Sequence, residues 1–213
     1  MVGNVNMKKI KNIIFDLGGV IINLDIPRTI KAFEAFGIND FEKTYSQLSQ
    51  TAIFDQFDKG TISEEDFFRA LRLQFDLDVS IADLKNAWNA MLLDFPKHRL
   101  EQLKYYKSNY RTFLLSNTNF THIQVFEQTL LNEHGVSNLS GYFEKDYYSC
   151  RMGMRKPDKA IFEFVLNENQ LDPEETVFID DTIIHVNGAK QAGINAYLLP
   201  KGAEFKELLD TIL

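Results

Sequence analysis

The sequence has one cysteine and no excess of positive charge. Cys150 has no second cysteine to pair with, which excludes an internal disulfide and a cysteine-based metal cluster and leads us to expect a reducing, cytoplasmic location. The 23 lysines and arginines are outnumbered by 30 aspartates and glutamates, for a net charge of -7. That balance gives no basic field for a nucleic-acid backbone, so we expect no nucleic-acid partner, although a local basic pocket could still hold one small anion.

Long apolar runs are also absent. No stretch of the sequence is long enough to span a bilayer, so we expect no membrane partner. Residues 1–7 are polar and lack the apolar core of a signal peptide, and we expect them to form a frayed leader. The apolar fraction of 45% nevertheless suffices for a sizeable buried core, arranged as one large domain or as a core domain with an insertion.

Three short apolar runs end in side chains that carry chemistry. Such runs, bounded by turn residues, predict buried strands. The first ends at Asp16, and the glycine pair that follows lets the backbone turn tightly beside the carboxylate. The second ends at Ser116 and the third at the pair Asp180-Asp181. Taken alone, each carboxylate is typical of a strand-closing turn or a helix cap, so the functional interpretation depends on their combination.

Between the first and second runs the pattern is helical. Over residues 28–95 apolar residues recur at helical spacing. Ser63 with Asp66, and Ser80 with Asp83, have the spacing of capping boxes and predict two helix starts. About four helices are therefore expected to form one inserted unit.

The inserted unit is expected to span residues 25–95, flanked by a core of residues 1–24 and 96–213. Pro96 disfavours helix at the residue before it, so we expect residues 92–96 to form a second hinge strand.

After residue 96 apolar runs and helical segments alternate. We expect strands over residues 112–115, 142–148, 176–179 and 196–199, and helices over residues 98–108, 124–131, 159–167 and 189–193. This alternation predicts an α/β fold, a Rossmann-like parallel sheet covered by helices on both faces, with the helical unit inserted after the first strand. Such sheets bind ligands beyond the carboxyl ends of their strands, where Asp16, Ser116 and Asp180 would meet.

The polar residues at these strand ends are the parts of a phosphoryl-transfer site. Asp16, with Asp180 or Asp181, would hold a hard cation such as Mg²⁺ and would attack phosphorus to form an aspartyl-phosphate, which water then hydrolyses. Ser116 and the backbone amides after it would donate hydrogen bonds to phosphate oxygens, and Lys156, in a turn before the third run, would neutralise their charge. These parts predict hydrolysis of a phosphate monoester.

Four segments resemble, in order, the motifs of the haloacid dehalogenase-like (HAD) hydrolases. The segments are Phe15-Asp16, Leu115 to Asn119, Gly153 to Asp158 and Phe178 to Asp181. The helical unit occupies the place of that family's α-helical cap. The first and third segments are similar to the bacterial branch that contains a glucose-1-phosphate phosphatase, and to the phosphatase domain of soluble epoxide hydrolase.

The resemblance implies a Mg²⁺-dependent phosphatase with Asp16 and Lys156 as its catalytic residues. The implied metal ligands are Asp16, Gly18 through its backbone carbonyl, Asp181 and, in support, Asp180, and the implied phosphate contacts are Ser116, Asn117 and Lys156. The implied substrate is a small phosphorylated metabolite, with sugar phosphates favoured. The oligomeric state stays open.

Gly18 departs from the family pattern. Phosphatases of the family usually carry a second aspartate there, which protonates the leaving oxygen and then activates water, a contribution of about 10²–10⁴-fold. We therefore expect a slow enzyme or one with a substitute, for which Asp25 and metal-bound water rank above His122 and His185. The alternative hypothesis is a phosphate-binding or regulatory pseudophosphatase with little or no turnover.

Two other reactions are disfavoured. Hydrolytic dehalogenation uses no metal, and without a cation the pair Asp180-Asp181 would repel a nucleophilic Asp16. A phosphosugar mutase would need the acid/base group that Gly18 lacks.

Overall fold

The computed structural model describes residues 9–38, 40, 41, 43 and 51–213, so the leader expected over residues 1–7 lies outside the described residues. A five-stranded parallel sheet forms the centre of the fold. The strands are β1 (Asn12–Phe15), β2 (Arg111–Ser116), β3 (Lys145–Tyr148), β4 (Thr176–Asp180) and β5 (Asn195–Leu198), in the order β3-β2-β1-β4-β5. Strands β1 and β4 are buried throughout, as expected for central strands covered on both faces. The predicted α/β fold with a parallel sheet is confirmed.

The strand register brings the ends of β1, β2 and β4 together at one edge of the sheet. Phe15 of β1 pairs with Leu114 of β2 and with Ile179 of β4. The backbone N–H of Asp16 also donates to the Ile179 carbonyl at 2.9 Å, which extends the pairing by one residue. Because β2 and β4 flank β1 on opposite sides, this edge is a topological switch point, the usual ligand site of such sheets.

Between β1 and β2 the chain forms a helical insertion, residues 26–89. Its described helices are α1 (Ile26–Glu34), α2 (Ala52–Asp58), α3 (Glu64–Gln74) and α4 (Ile81–Asn89). Both predicted capping boxes are confirmed as helix starts. The hydroxyl of Ser63 accepts from the Asp66 N–H at 3.0 Å, and that of Ser80 accepts from the Asp83 N–H at 3.1 Å.

The helical insertion has an apolar core of its own. Phe57 and Phe67 stack with 3.8 Å between ring centroids, and Phe54 and Trp88 pack edge-on against Phe67. These residues form a cluster distinct from the two apolar clusters that cover the sheet. The insertion is therefore stabilised largely by burial of its own aromatic side chains.

Further helices cover both faces of the sheet. They are α5 (Lys97–Asn109), α6 (Phe120–His134), α7 (Ser149–Met152), α8 (Lys159–Glu168), α9 (Ile183–Gln191) and α10 (Phe205–Ile212). The adjacent residues Ile14 and Phe15 belong to different apolar clusters, because successive side chains of a strand point to opposite faces. None of the described helices has the length and apolar character needed to cross a membrane.

Local structure differs from the prediction in several places. Residues 92–96 do not form a strand, since only Leu92 bridges to Leu24 before Pro96 leads into α5. Helix α9 begins at Ile183 rather than at residue 189. Ile183 and Ile184 are apolar but exposed, so the apolar pattern of the sequence does not indicate which face of this helix is buried. Helix α10 is not among the predicted helices, although two of its residues four positions apart are buried.

Candidate active site

Asp16 lies at the carboxyl end of β1 and is only 7% exposed. Its Oδ1 accepts a hydrogen bond from Lys156 Nζ at 2.6 Å. Burial raises the pKa of Asp16 to about 7, an effect that Lys156 opposes and to which the carboxylates of Asp180 and Asp181 add. The anionic form of Asp16 is therefore favoured when further positive charge balances this acidic cluster.

Lys156 is the cation that joins the carboxylates. Its side chain is fully buried, and Nζ donates to Asp16 Oδ1 and Asp180 Oδ2, both at 2.6 Å, and to the Leu115 carbonyl at 2.9 Å. Burial disfavours the charged ammonium, but the two carboxylates outweigh it and raise the pKa of Lys156. With three acceptors for its three N–H bonds, this lysine is held in one orientation.

Asp180 holds Lys156 from the end of β4. The Asp180 carboxylate is fully buried, accepts from the Thr182 N–H at 2.8 Å, and lies 3.1 Å from His185 Nδ1. Burial alone would raise the pKa of Asp180, but Lys156 and His185 hold it at about 2, so the group stays ionised. His185 thus contacts the Asp180 carboxylate and helps to hold it in place.

Asp181 completes a set of carboxylates that fits a divalent cation. One oxygen from each of Asp16, Asp180 and Asp181 lies within 4.8 Å of the others. Burial, with the neighbouring Asp180, raises the pKa of Asp181. Converging carboxylate oxygens are the donors that a hard cation such as Mg²⁺ prefers.

Gly19 is required for this arrangement, and the sequence alone did not reveal why. Its φ is +69°, a conformation that favours glycine. A Cβ at Gly19 would lie 2.2 Å from Asp181 Oδ2. The absence of a side chain therefore leaves the space in which the Asp181 carboxylate sits.

The turn after β2 presents Ser116 and backbone amides near the start of α6. Ser116 is buried at this edge of the sheet. The Asn117 side chain is engaged with the Lys156 backbone, because its Nδ2 donates to the Lys156 carbonyl and its Oδ1 accepts from the Lys156 N–H, both at 2.8 Å. Asn117 thus fixes the lysine's backbone, and a phosphate contact by Asn117 would use its own backbone N–H.

A pocket of about 250 Å³ lies between this edge of the sheet and the helical insertion. Gly18, Ser116 and Asn117 line it from the sheet, and Phe54 and Trp88 line it from the insertion. Pockets that bind drug-sized ligands start at about 300 Å³, so this one suits a small molecule.

Arg155 and Asp58 connect the two sides of the pocket. Arg155 Nη2 lies 3.3 Å from Asp58 Oδ2, and Nη1 lies 3.7 Å from Asp55 Oδ1. Burial raises the pKa of Asp58 to about 6, with Arg155 opposing and Asp55 adding to the shift. Asp58 is not among the predicted site residues, because no local pattern relates α2 to the turn that carries Arg155.

The predicted substitutes for the missing acid/base group lie in different places. Asp25 precedes α1, and its carboxylate accepts from Arg28 Nε at 3.1 Å. His122, in the first turn of α6, lines the pocket, but burial lowers its pKa to about 4. The imidazole of His122 is therefore neutral at pH 7 and a weak proton donor. Asp25 and His185 are not among the residues that line the pocket, and His122 lines it only as a weak proton donor.

Comparison with known proteins places these features in a family. Residues 10–193 match the haloacid dehalogenase-like hydrolases. The D-ribitol-5-phosphate phosphatase of Bacteroides thetaiotaomicron is 29% identical over 204 residues, which cover 96% of this chain and 98% of that protein.

Two solved structures superpose over nearly the whole chain. A HAD family enzyme of Bacteroides thetaiotaomicron, a mutant in complex with magnesium and inorganic phosphate, gives a TM-score of 0.86 at 35% identity, covering 94% of this chain and 98% of that chain. A predicted HAD-like family hydrolase of Porphyromonas gingivalis gives a TM-score of 0.85 at 30% identity, covering 96% of this chain and 98% of that chain.

Proposed function

The chain belongs to the haloacid dehalogenase-like hydrolases, and on that premise we propose that it is a Mg²⁺-dependent phosphatase. Its substrate is a small phosphorylated metabolite, a sugar phosphate or the corresponding polyol phosphate, hydrolysed through an aspartyl-phosphate on Asp16. The observation that carries this proposal is the buried Lys156, which contacts the nucleophile and Asp180 at 2.6 Å beside a third carboxylate. The magnesium and phosphate bound by a similar enzyme, and the substrate of the ribitol phosphatase, support it.

The proposed Mg²⁺ ligands are Asp16, the backbone carbonyl of Gly18 and Asp181, with Asp180 in support. When bound, Mg²⁺ supplies the positive charge that lets an anionic carboxylate approach an anionic phosphate. The convergent carboxylate oxygens and the space above Gly19 support this assignment.

Asp16 attacks phosphorus in the first step. A bond forms between its carboxylate oxygen and phosphorus while the ester bond from phosphorus to the leaving oxygen breaks. Asp16 loses its charge as the acyl phosphate forms, which frees a Lys156 N–H for the phosphate oxygens, and Ser116 donates to them as well. In the second step, water attacks phosphorus and the bond between phosphorus and the Asp16 oxygen breaks. Inorganic phosphate leaves, and Asp16 is again a negatively charged carboxylate.

The leaving oxygen must take a proton from a group other than residue 18. Gly18 carries no side chain, so we assign this proton to water, consistent with a slow chemical step. Asp25, whose carboxylate accepts from Arg28 Nε at the surface before α1, is kept as a second candidate.

We further propose that residues 25–95 form a cap domain on a core of residues 1–24 and 96–213. The separate apolar core of the helical insertion supports this division. The bridge between Leu24 and Leu92, where both connections run side by side, is the proposed hinge. Opening there would admit substrate, and closing would exclude water from the pocket.

Removal of Mg²⁺ is expected to lower phosphate release by about 100-fold or more, because the charge that offsets three carboxylates is lost. The assay measures phosphate released from p-nitrophenyl phosphate, ribitol 5-phosphate and glucose 6-phosphate, with EDTA and after re-addition of Mg²⁺. Asp181→Asn is expected to raise the Mg²⁺ concentration needed for half-maximal rate, and the exposed Asp210→Asn serves as a matched control. Full activity in EDTA would exclude the proposed metal role.

The alternative function is a phosphate-binding pseudophosphatase, which the glycine at position 18 favours. It predicts that Gly18→Asp raises a near-zero rate by about 10²-fold, since the family's acid is restored. A Cβ at Gly18 would meet only the end of the Leu24 side chain, at 2.8 Å, so the aspartate can be accommodated by a small shift. We expect instead that the wild type already hydrolyses phosphate esters at a measurable rate before the substitution.

Gly18→Asn is the matched control for this substitution, because it has the shape of aspartate without the acid. A gain with Asp but not with Asn, from an inactive wild type across the three substrates, would establish the pseudophosphatase. Equal losses with Asp and Asn would support an active site arranged around glycine.

A further inference from the structure

Two buried polar atoms at the pocket have no hydrogen-bond partner among the residues that the structure describes. They are Nε2 of His122 and Nε of Arg155, and both residues line the pocket. Buried polar atoms are nearly always paired in native proteins, because an unmade hydrogen bond leaves the cost of desolvation uncompensated. Because both residues line the pocket, a molecule bound there could supply the missing partners.

His122 presents an acceptor. Its backbone N–H is bound by the Asn119 side chain at 2.9 Å, and its ring stacks on Trp88 of the helical insertion with 5.6 Å between centroids. Burial lowers the pKa of His122 to about 4, against the effect of a hydrogen bond to the Trp88 backbone. Because Nε2 has no partner, the hydrogen bond to the Trp88 backbone assigns the one proton of the neutral ring to Nδ1 and leaves Nε2 as an acceptor. A lone pair suits a hydroxyl group and repels a phosphate oxygen.

Arg155 presents a donor without a free positive charge. Its terminal nitrogens face the carboxylates of Asp58 and Asp55, at 3.3 and 3.7 Å, which balance the guanidinium. The remaining Nε–H has no acceptor within the described part of the chain. A neutral oxygen, such as that of a hydroxyl group, suits this donor, whereas a second anionic group on the substrate would meet the two carboxylates.

We propose that His122 and Arg155 are the specificity-determining pair of this pocket and bind two hydroxyl groups of the substrate. His122 Nε2 accepts from one hydroxyl, and Arg155 Nε donates to the other. Phe54 and Met91 line the same pocket and contact the carbon chain between them. The inference rests on the proposed phosphatase function, and it narrows the substrate to a monophosphate whose remaining part is neutral and polyhydroxylated.

The test compares substrates that differ only in hydroxyl groups. One pair is ribitol 5-phosphate and n-pentyl phosphate, and a shorter pair is glycerol 3-phosphate and n-propyl phosphate. The measured quantity is the ratio of kcat/KM within each pair, with Mg²⁺ present. We expect the wild type to prefer at least one hydroxylated member by about 100-fold or more, because the alkyl phosphate leaves both buried atoms unpaired.

Two variants remove one atom each. His122→Phe keeps an aromatic ring against Trp88 but has no acceptor, and Arg155→Lys keeps a cation near Asp58 but has no Nε. Each is expected to reduce the preference by about tenfold, the value of one hydrogen bond. The same changes at exposed positions away from the pocket, His98→Phe and Arg111→Lys, are controls expected to leave the ratio as in the wild type.

The outcomes separate this inference from the proposed function. A wild type that hydrolyses both members of a pair equally, or variants that lower both rates by one common factor, would overturn the hydroxyl assignment and leave the phosphatase function standing. A wild type that hydrolyses no phosphate ester would overturn both. If thermal unfolding shows that a variant is not folded, the ratio of kcat/KM measured for the wild type still tests the hydroxyl assignment.

Discussion

Asp16→Asn is expected to lower phosphate release by at least about 10⁴-fold on every substrate, the scale seen when a covalent nucleophile is removed. The amide keeps the size of the side chain and can still accept from Lys156 Nζ, but it cannot form an acyl phosphate. The measurement is phosphate release from p-nitrophenyl phosphate and ribitol 5-phosphate with saturating Mg²⁺. A loss of this size would place Asp16 at the reacting phosphorus.

Asp210→Asn provides the control for removing one negative charge. Asp210 lies on α10 and pairs with Lys206 at the surface. The Asp210→Asn protein is therefore expected to release phosphate at the wild-type rate. Thermal unfolding of Asp16→Asn shows whether the variant is folded. A folded Asp16→Asn protein with wild-type turnover would exclude Asp16 as the nucleophile.

Lys156→Met is expected to lower the free energy of unfolding by about 3–5 kcal/mol at neutral pH, because removing one partner leaves buried carboxylates without their cation. Lys156 is 0% exposed, and both of its carboxylate contacts are 2.6 Å long. Urea unfolding in the absence of Mg²⁺ measures the loss. The matched control is Lys159→Met, which removes an exposed ion pair with Glu163 and is expected to cost less than about 1 kcal/mol.

The loss in Lys156→Met is expected to depend on pH. Without the lysine, the folded-state pKa of Asp180 rises above the unfolded value of 3.8, and that of Asp16, which burial already raises to about 7, rises further. A group with a raised folded-state pKa binds its proton more tightly in the folded protein, so its stabilising effect is present at low pH and is lost as pH rises through that pKa. The difference from the wild type should therefore shrink between about pH 8 and about pH 5. A difference that grows on acidification would contradict the proposed charge balance.

The sequence could predict the sheet and the strand ends because both depend on local patterns. Apolar runs that close in Asp16, Ser116 and Asp180 identify parallel strands, and parallel strands place their carboxyl ends at one edge. The capping boxes at Ser63 and Ser80 depend on residues three positions apart, so they too could be predicted. What these signals share is that each is contained in a few consecutive residues.

Contacts between distant segments could not be predicted in this way. The space that Gly19 leaves for Asp181 depends on how two strand ends meet, and the Arg155–Asp58 contact and the stacking of His122 on Trp88 depend on how the helical insertion meets the core. The sequence motifs predict that Asn117 contacts phosphate. In the folded chain, the Asn117 side chain forms two hydrogen bonds with the Lys156 backbone. Side-chain partners of this kind are decided by tertiary packing.

The most direct test of the account is to identify the residue that carries the phosphoryl group during turnover. The protein is mixed with Mg²⁺ and ribitol 5-phosphate or p-nitrophenyl phosphate, quenched in acid within one turnover, and reduced with borohydride, which converts an aspartyl-phosphate to homoserine. We predict homoserine at position 16 by peptide mass spectrometry, dependent on Mg²⁺ and absent from Asp16→Asn. Phosphate release with aspartate intact at position 16, or with homoserine at another position, would contradict the account.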